Sequence, residues 1–317
     1  MKKVSQYPAA KVAIVGAGVV GSTTAYALMM SGAVTSLALI DRKKEKAEGE
    51  ALDLMHCMQF THSMHIDAGD DFALVNDAMV VVIAAGIGQK PGQTRSDLLT
   101  TNVAVFKEII PQIVRHNKAC IILVVTNPLD VLTYVAWKLS GFPSCRVFGT
   151  GTVLDTARLR YLMGQHFKIS PKDITAYILG EHGDSEFVCW SQANIAGVPL
   201  TKLAGYDTVA LEKMYQTTKN AAYVIIQKKG ATNYAIALVV AKIVRAIILD
   251  QSRVFTVSSL IESVFDVSDV CLSLPMVVRQ SGTCERLDLQ LNDQERKLFA
   301  ASAQKVKNEL AAALKLL

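Results

Sequence analysis

The segment KVAIVGAGVVG at residues 11–21 constrains the fold more than any other stretch of the chain. A short apolar run, 12–15, enters a turn in which Gly16, Gly18 and Gly21 stand in G-x-G-x-x-G spacing, and residues 19–30 continue with helical character. The spacing alone is weak evidence, because an ordinary strand–turn–helix also carries it. Placed directly after a strand and at the head of a helix, it has a physical use. The first glycine permits a tight turn, the second lets backbone approach a pyrophosphate, and the third lets helix and strand pack closely. The helix N-terminus then faces the phosphates. Val20, in the same turn, joins these glycines as a candidate cofactor-binding residue.

The following elements fit that start. Residues 37–40 read as a second strand with Asp41 at its end, 20 positions after Gly21. A carboxylate there accepts both ribose hydroxyls and repels a 2′-phosphate, so NAD is the expected cofactor; Arg42 and Lys43 beside it soften the discrimination. The bland alternative for Asp41 is a solvated strand end. Residues 43–58 read as a helix, and 79–85 and 120–125 are unbroken apolar runs of the kind buried on both faces. Strands alternating with helices imply a doubly wound parallel sheet of Rossmann type. After residue 149 the rhythm changes. Helices are expected over 154–163, 208–229 and 293–316, and strands over 174–179 and 283–291. The expectation is an α/β chain: a Rossmann domain over 1–149 and an α+β substrate domain over 150–317.

Composition narrows the function classes. Thirty-three basic against 28 acidic residues give a net charge of +5, spread along the chain with no basic tail, so nucleic acid is not an expected partner. The longest apolar run, 235–249, is cut by Lys242 and Arg245, which argues against a membrane span. Lys2 and Lys3 are followed by Pro8 and Lys11, which break any secretory apolar core. The six cysteines form no C-x-x-C pair and read as free thiols of a reducing, cytoplasmic setting. His56, His62 and His65 with Cys57 match no zinc spacing, so no metal is expected. With 51 % hydrophobic residues, the chain has more apolar surface than a monomer needs to bury, and a homo-oligomer is expected.

The second half carries the candidate chemistry. His182 sits in GEHGD, flanked by glycines just past the strand expected at 174–179. Asp155 and Arg158, three apart in a helix, share a face; on spacing alone an i,i+3 ion pair is the better reading. The functional reading gives them separate tasks. Asp155 fixes the tautomer of His182 and stabilises its protonated form, and Arg158 grips a carboxylate bidentately. Arg95 ends GIGQKPGQTR, a loop with three glycines and a proline at the carboxyl edge of the sheet, where a lid is as plausible as a plain surface loop.

Taken in order, G-x-G-x-x-G, Q-K-P-G-x-T-R, T-N-P-L-D, L-D-x-x-R and G-E-H-G-D-S resemble the L-lactate/malate dehydrogenase family over nearly the whole chain. The resemblance implies that His182 is the proton donor and acceptor, with Asp155 its partner. Arg158 would anchor the substrate carboxylate, and Arg95 would close with the loop and polarise the carbonyl. Asn127 would help hold the reacting oxygen and the nicotinamide ribose, and Thr232 would line the pocket. It implies a small 2-keto or 2-hydroxy acid substrate, with Gln89 at the specificity position. A neutral Gln suits the methyl end of pyruvate, whereas the malate members carry an Arg there. Burying a second carboxylate against Gln would cost several kcal/mol. The short N-terminus before Val12 points to bacterial-type members. Those activated by fructose 1,6-bisphosphate carry an Arg, matched by Arg160, and a His whose place is taken by Thr175, so activation is not expected. Malate or a branched 2-hydroxy acid is the alternative substrate. Metal-dependent glycosidases of the same fold lack support for want of a Cys/His set. A non-catalytic scaffold would be expected to lose one of His182, Asp155, Arg158 and Arg95; all four are present.

Overall fold

The computed structural model describes residues 10–88 and 95–317. Its elements in chain order begin β1 (Lys11–Val15), α1 (Val19–Ser31), β2 (Ser36–Ile40), α2 (Lys44–His56), β3 (His65–Gly69) and β4 (Val80–Ile83). They continue α3 (Arg95–His116), β5 (Ile121–Val124), α4 (Leu129–Ser140), β6 (Val147–Gly149) and α5 (Val153–Phe167). The short strands β7 (Ile174–Thr175), β8 (Ile178–Leu179), β9 (Phe187–Val188), β10 (Asn194–Ile195) and β11 (Val198–Pro199) follow. The chain ends with α6 (Thr208–Lys229), α7 (Tyr234–Ile248), β12 (Arg253–Ile261), β13 (Val270–Arg279), β14 (Gly282–Arg286) and α8 (Asp293–Leu314).

The parallel strands lie in the order β3-β2-β1-β4-β5-β6, the doubly wound arrangement whose reversal point, between β1 and β4, is where such sheets bind ligands. Side chains alternate across this sheet. Ala13, Val15, Val81 and Ile83 pack into a core with α3, α4 and α8, while Val12, Ile14, Val80 and Val82 pack into another with α1, α2 and α7. Both faces are covered, which is why these strands read as unbroken apolar runs. The sheet does not stop at residue 149. Ser258 of β12 pairs with Gly149 of β6, and β12, β13 and β14 extend the same sheet in antiparallel fashion. The α+β half therefore grows from the sheet edge and places its own smaller core around α5, α6 and β7–β10 beside it.

Three expected elements differ. The strand expected over 174–179 is two pieces that change partners: β7 pairs with β10, and β8 pairs with β9. The break falls at 176–177, where the carbonyl of Ala176 is taken by Arg160 Nε at 2.9 Å and that of Tyr177 by the Cys189 amide. The strand expected over 283–291 stops at Arg286, whose guanidinium folds onto Asp288 at 2.8 Å. The second helix ends at His56, and a 3-10 turn carries the chain through Gln59. Among the described residues, no helix is long and apolar enough to cross a membrane.

Candidate active site

The glycine turn follows the geometry its spacing implied. Gly16 has φ +103°, and a Cβ there would lie 2.5 Å from the Ala85 nitrogen at the end of the neighbouring strand. A Cβ on Gly21 would lie 1.8 Å from the Gly16 carbonyl oxygen, so only glycine lets α1 start this close to β1. At Gly18 a Cβ would meet nothing within 4 Å: the space is open. Gly18 is also the N-cap of α1 and supplies no side chain to its free amides. An uncapped helix start beside open space suits a pyrophosphate. Asp41 follows the last residue of β2. Its carboxylate accepts the Ala17 amide at 2.9 Å and the Lys43 amide at 3.0 Å, which ties the glycine turn to the neighbouring strand. The residues present fit a dinucleotide. Val20 sits in the first turn of α1, half-buried.

The second constellation is centred on Asp155, which is 3 % exposed in the first turn of α5. One oxygen meets His182 Nδ1 at 2.6 Å, and the other accepts from Arg158 at 2.9 Å. The imidazole and the guanidinium are thus brought together by a single buried carboxylate. Burial opposes ionisation of Asp155, but the charges and hydrogen bonds of His182 and Arg158 outweigh it and hold the carboxyl below its usual range. Burial likewise disfavours the imidazolium. Asp155 reverses that, helped by Glu186 and Asp130, and lifts His182 to about 9. The His182 side chain is 26 % exposed and Arg158 14 %, so both remain reachable from solvent.

The loop carrying His182 is pinned by groups that the motif reading did not place. The His182 amide donates to Asp130 Oδ2 at 2.7 Å, and the other Asp130 oxygen accepts from Ser258 at 2.6 Å. Burial pushes Asp130 up to about 7 against those two hydrogen bonds. Next to His182, Glu181 takes the Ser185 amide and an ion pair from Lys305 of α8 at 2.7 Å. Glu186 is 5 % exposed and packs beside the His182–Asp155 pair. A further tie joins the loop after β4 to the turn after β5. Buried Asn102 of α3 takes the Ile87 amide at 2.8 Å and donates to the Asn127 carbonyl at 2.7 Å. None of these residues stands in a pattern that names a partner; only TNPLD hinted at Asp130.

The remaining candidates are placed as follows. Asn127 is exposed at the sheet's carboxyl edge, and Thr232 lies half-buried in the turn between α6 and α7. Arg95 begins α3, but its side chain, like the whole of Gln89, lies outside the described residues. The histidines set aside as metal ligands go elsewhere: His62 reaches the Val34 carbonyl and His65 reaches Asp67. Among the described residues, the group close enough to share an ion is Asp155, His182 and Glu186, and both Asp155 oxygens are already engaged.

Comparison with known proteins agrees with this geometry. Residues 10–149 match the lactate/malate dehydrogenase NAD binding domain, and residues 152–317 match the lactate/malate dehydrogenase alpha/beta C-terminal domain. The chain belongs to the lactate/malate dehydrogenase family. Its relatives include an L-lactate dehydrogenase of Acetivibrio thermocellus, 49 % identical over 94 % of this chain and 95 % of that protein. An L-lactate dehydrogenase of Clostridium botulinum is 46 % identical over 95 % of this chain and 96 % of its own length. Among solved structures, a lactate dehydrogenase from a Medee basin deep-sea metagenome library superposes with a TM-score of 0.93. It is 42 % identical, with 96 % of this chain and 99 % of that chain covered. The family membership makes NAD the cofactor of the glycine-turn half.

Proposed function

We propose that this protein is an NAD-dependent L-lactate dehydrogenase, reducing pyruvate to L-lactate and running the reaction in reverse. The observation that carries the reading is the Asp155 bridge, which sets a proton carrier and a carboxylate-binding cation on one buried anchor at 2.6 and 2.9 Å. In the family, that pairing is the chemistry of a 2-keto acid.

When bound, NADH would supply the hydride for reduction, and NAD+ would accept one from lactate in the reverse direction. Gly16, Gly18, Val20, Gly21 and Asp41 would hold it, and Asn127 would help at its nicotinamide ribose. Arg158 pairs with the substrate carboxylate, a charge-assisted contact worth about 1.5–3 kcal/mol. His182, protonated at neutral pH, gives its proton to the carbonyl oxygen as that oxygen gains negative charge, and recovers one from solvent afterwards. Asp155 keeps the Nδ1 side of the ring occupied, so the exchangeable proton sits on Nε2, and it stabilises the imidazolium. Arg95 polarises the carbonyl, Thr232 lines the pocket, and Gln89 selects a methyl over a carboxylate. In this reading residues 1–149 bind the cofactor and lend Gln89 and Arg95 to the substrate, while residues 150–317 carry the groups that hold its carboxylate and exchange its proton. The 46–49 % identity to proteins named L-lactate dehydrogenases favours pyruvate over the malate and branched-acid alternatives.

We also propose a cytoplasmic, fermentative enzyme acting at the end of glycolysis as a homo-oligomer, a dimer or tetramer. Tyr26 and Met30 of α1, Leu52 and Met55 of α2, and Tyr234 and Leu238 of α7 are exposed, and α1 and α7 pack side by side. A surface of that kind is what a second copy covers. The decisive assay is initial-rate oxidation of NADH with pyruvate, oxaloacetate and 2-ketoisocaproate. Pyruvate should give the highest kcat/KM; a clear preference for either of the others would replace the lactate reading.

A further inference from the structure

Glu186 stands out among the groups to which the mechanism gives no task. The residue is 5 % exposed, and among the described residues its Oε1 has no hydrogen-bond partner. A carboxylate oxygen of Glu186, a ring nitrogen of His182 and a carboxylate oxygen of Asp155 all lie within 4.8 Å of one another. A carboxyl this deep is normally satisfied, and one left open beside a charged pair needs a reason. Its surroundings are mixed. Asp155 and Arg158 face it from α5, Lys219 from α6, and His182 from its own loop, while the Tyr215 hydroxyl of α6 donates to its backbone carbonyl.

We propose that Glu186 is a positioning residue for His182: its buried carboxyl, open at Oε1 and held within 4.8 Å of the His182–Asp155 pair, helps the imidazolium keep the proton it delivers to substrate. Burial, with Asp155, pushes Glu186 up to about 8 against the opposing pull of His182, Lys219 and Arg158. The carboxyl is therefore neutral at neutral pH and adds no third charge to the pocket when a substrate carboxylate meets Arg158. Above that range it ionises and opposes loss of the His182 proton, which leaves near 9. A unit charge within this distance shifts a neighbour by about one pKa unit unless solvent or counter-charge screens it.

The inference rests on the dehydrogenase reading, and its test separates the two. The pH profile of kcat/KM for pyruvate is measured for wild type, Glu186→Gln and Glu186→Asp. The alkaline limb of Glu186→Gln should move to lower pH by roughly half a unit or more, with Glu186→Asp nearer wild type. A limb in the same place for Gln and wild type overturns the proposal, even if activity drops. If wild type does not reduce pyruvate, the functional reading fails instead. The His182 imidazole is then titrated by NMR in the substrate-free protein, where the same downward shift in Glu186→Gln is required. Should that variant not fold, the carboxyl signals of wild type decide. A glutamate carboxyl, told apart by selective labelling from Asp130, which burial also raises, and still protonated at about pH 6 supports the proposal, whereas all glutamate carboxyls titrating near the ordinary value of about 4.3 removes it.

Discussion

Asn127 aside, the cofactor end takes its groups from β1, β2 and the turns that follow them, within residues 11–43, whereas the His182 end gathers Asp130, Asp155, Arg158, His182, Ser258 and Lys305 from segments spread over 175 positions. The first is held by backbone geometry. Glycine at 16 and 21 is required because a Cβ would strike the neighbouring chain. The second is held by buried charge. Asp155 and Asp130 are both almost fully enclosed and survive as acceptors because each is met by two donors. Backbone geometry tolerates neighbouring substitutions; a buried carboxylate does not tolerate the loss of a partner.

The largest effect should therefore come from the charged end. His182→Asn is expected to keep NADH binding near the wild-type value while turnover with pyruvate falls by at least about 10²-fold, the scale of general acid catalysis. Fluorescence titration of NADH and kcat at saturating pyruvate read the two ends separately. A variant retaining a tenth of the wild-type turnover would take His182 out of the chemistry and make the Asp155 bridge a structural ion pair.

That contrast also explains what the amino-acid sequence disclosed. The glycine turn, β1, β2, β4 and β5 were legible because they depend on neighbours in sequence and on burial of both sheet faces. Asp155, Arg158 and His182 were legible one by one, but their contact was not: nothing in an i,i+3 pair says that a histidine 27 positions on will share its carboxylate. Of the antiparallel extension, part of β14 was read from the 283–291 alternation, but β13 was hidden for a different reason. Pro275 lies inside β13, where it removes a ladder donor, and proline in a run counts against a strand. Here it pairs opposite Thr256, and its carbonyl still accepts the Leu287 amide. Glu181 and Lys305 were hidden because an ion pair 124 positions apart has no sequence signature.

The next effect tests selectivity within the substrate end. Gln89→Arg should lower kcat/KM for pyruvate and raise it for oxaloacetate, moving their ratio by roughly 10²-fold, since a charge-assisted pair is gained with one substrate and a desolvated cation is left with the other. Measuring both substrates with both proteins is sufficient. A ratio moved by less than about threefold would mean that the residue does not meet the third carbon of the substrate.

A smaller effect is expected at the cofactor end. Asp41→Asn removes the charge that opposes a 2′-phosphate but keeps one oxygen to accept the Ala17 or Lys43 amide. The preference for NADH over NADPH should shrink by about tenfold, with the thermal midpoint little changed, because a like-charge contact at a half-buried site is worth about 1–2 kcal/mol. If the preference is intact in the variant, the discrimination lies in the backbone of the turn rather than in the carboxylate.

The smallest effect asks whether the charged end answers to a distant anion. Arg160 lies on α5 two positions after Arg158, and its side chain is partly committed: Nε donates to the Ala176 carbonyl at 2.9 Å, and the guanidinium lies 5.1 Å from the centre of the Tyr177 ring. Thr175 stands in β7, where the activated relatives would have a histidine, and it brings no charge. A sugar bisphosphate carries about four negative charges and needs several cations in one place. To recruit Arg160 through Nε it would also have to free the Ala176 carbonyl from its donor, at a cost of about 1 kcal/mol. Fructose 1,6-bisphosphate is therefore expected to change the KM for pyruvate by less than about twofold, too little to report a coupling free energy of the usual 1–3 kcal/mol. Thr175→His should leave that result unchanged in the absence of the sugar and increase the response in its presence. A several-fold fall in the wild-type KM would show that other basic groups form the anion site and that α5 transmits its occupancy to Asp155 and Arg158, so the charged end would be adjustable from outside rather than fixed by its own buried pairs.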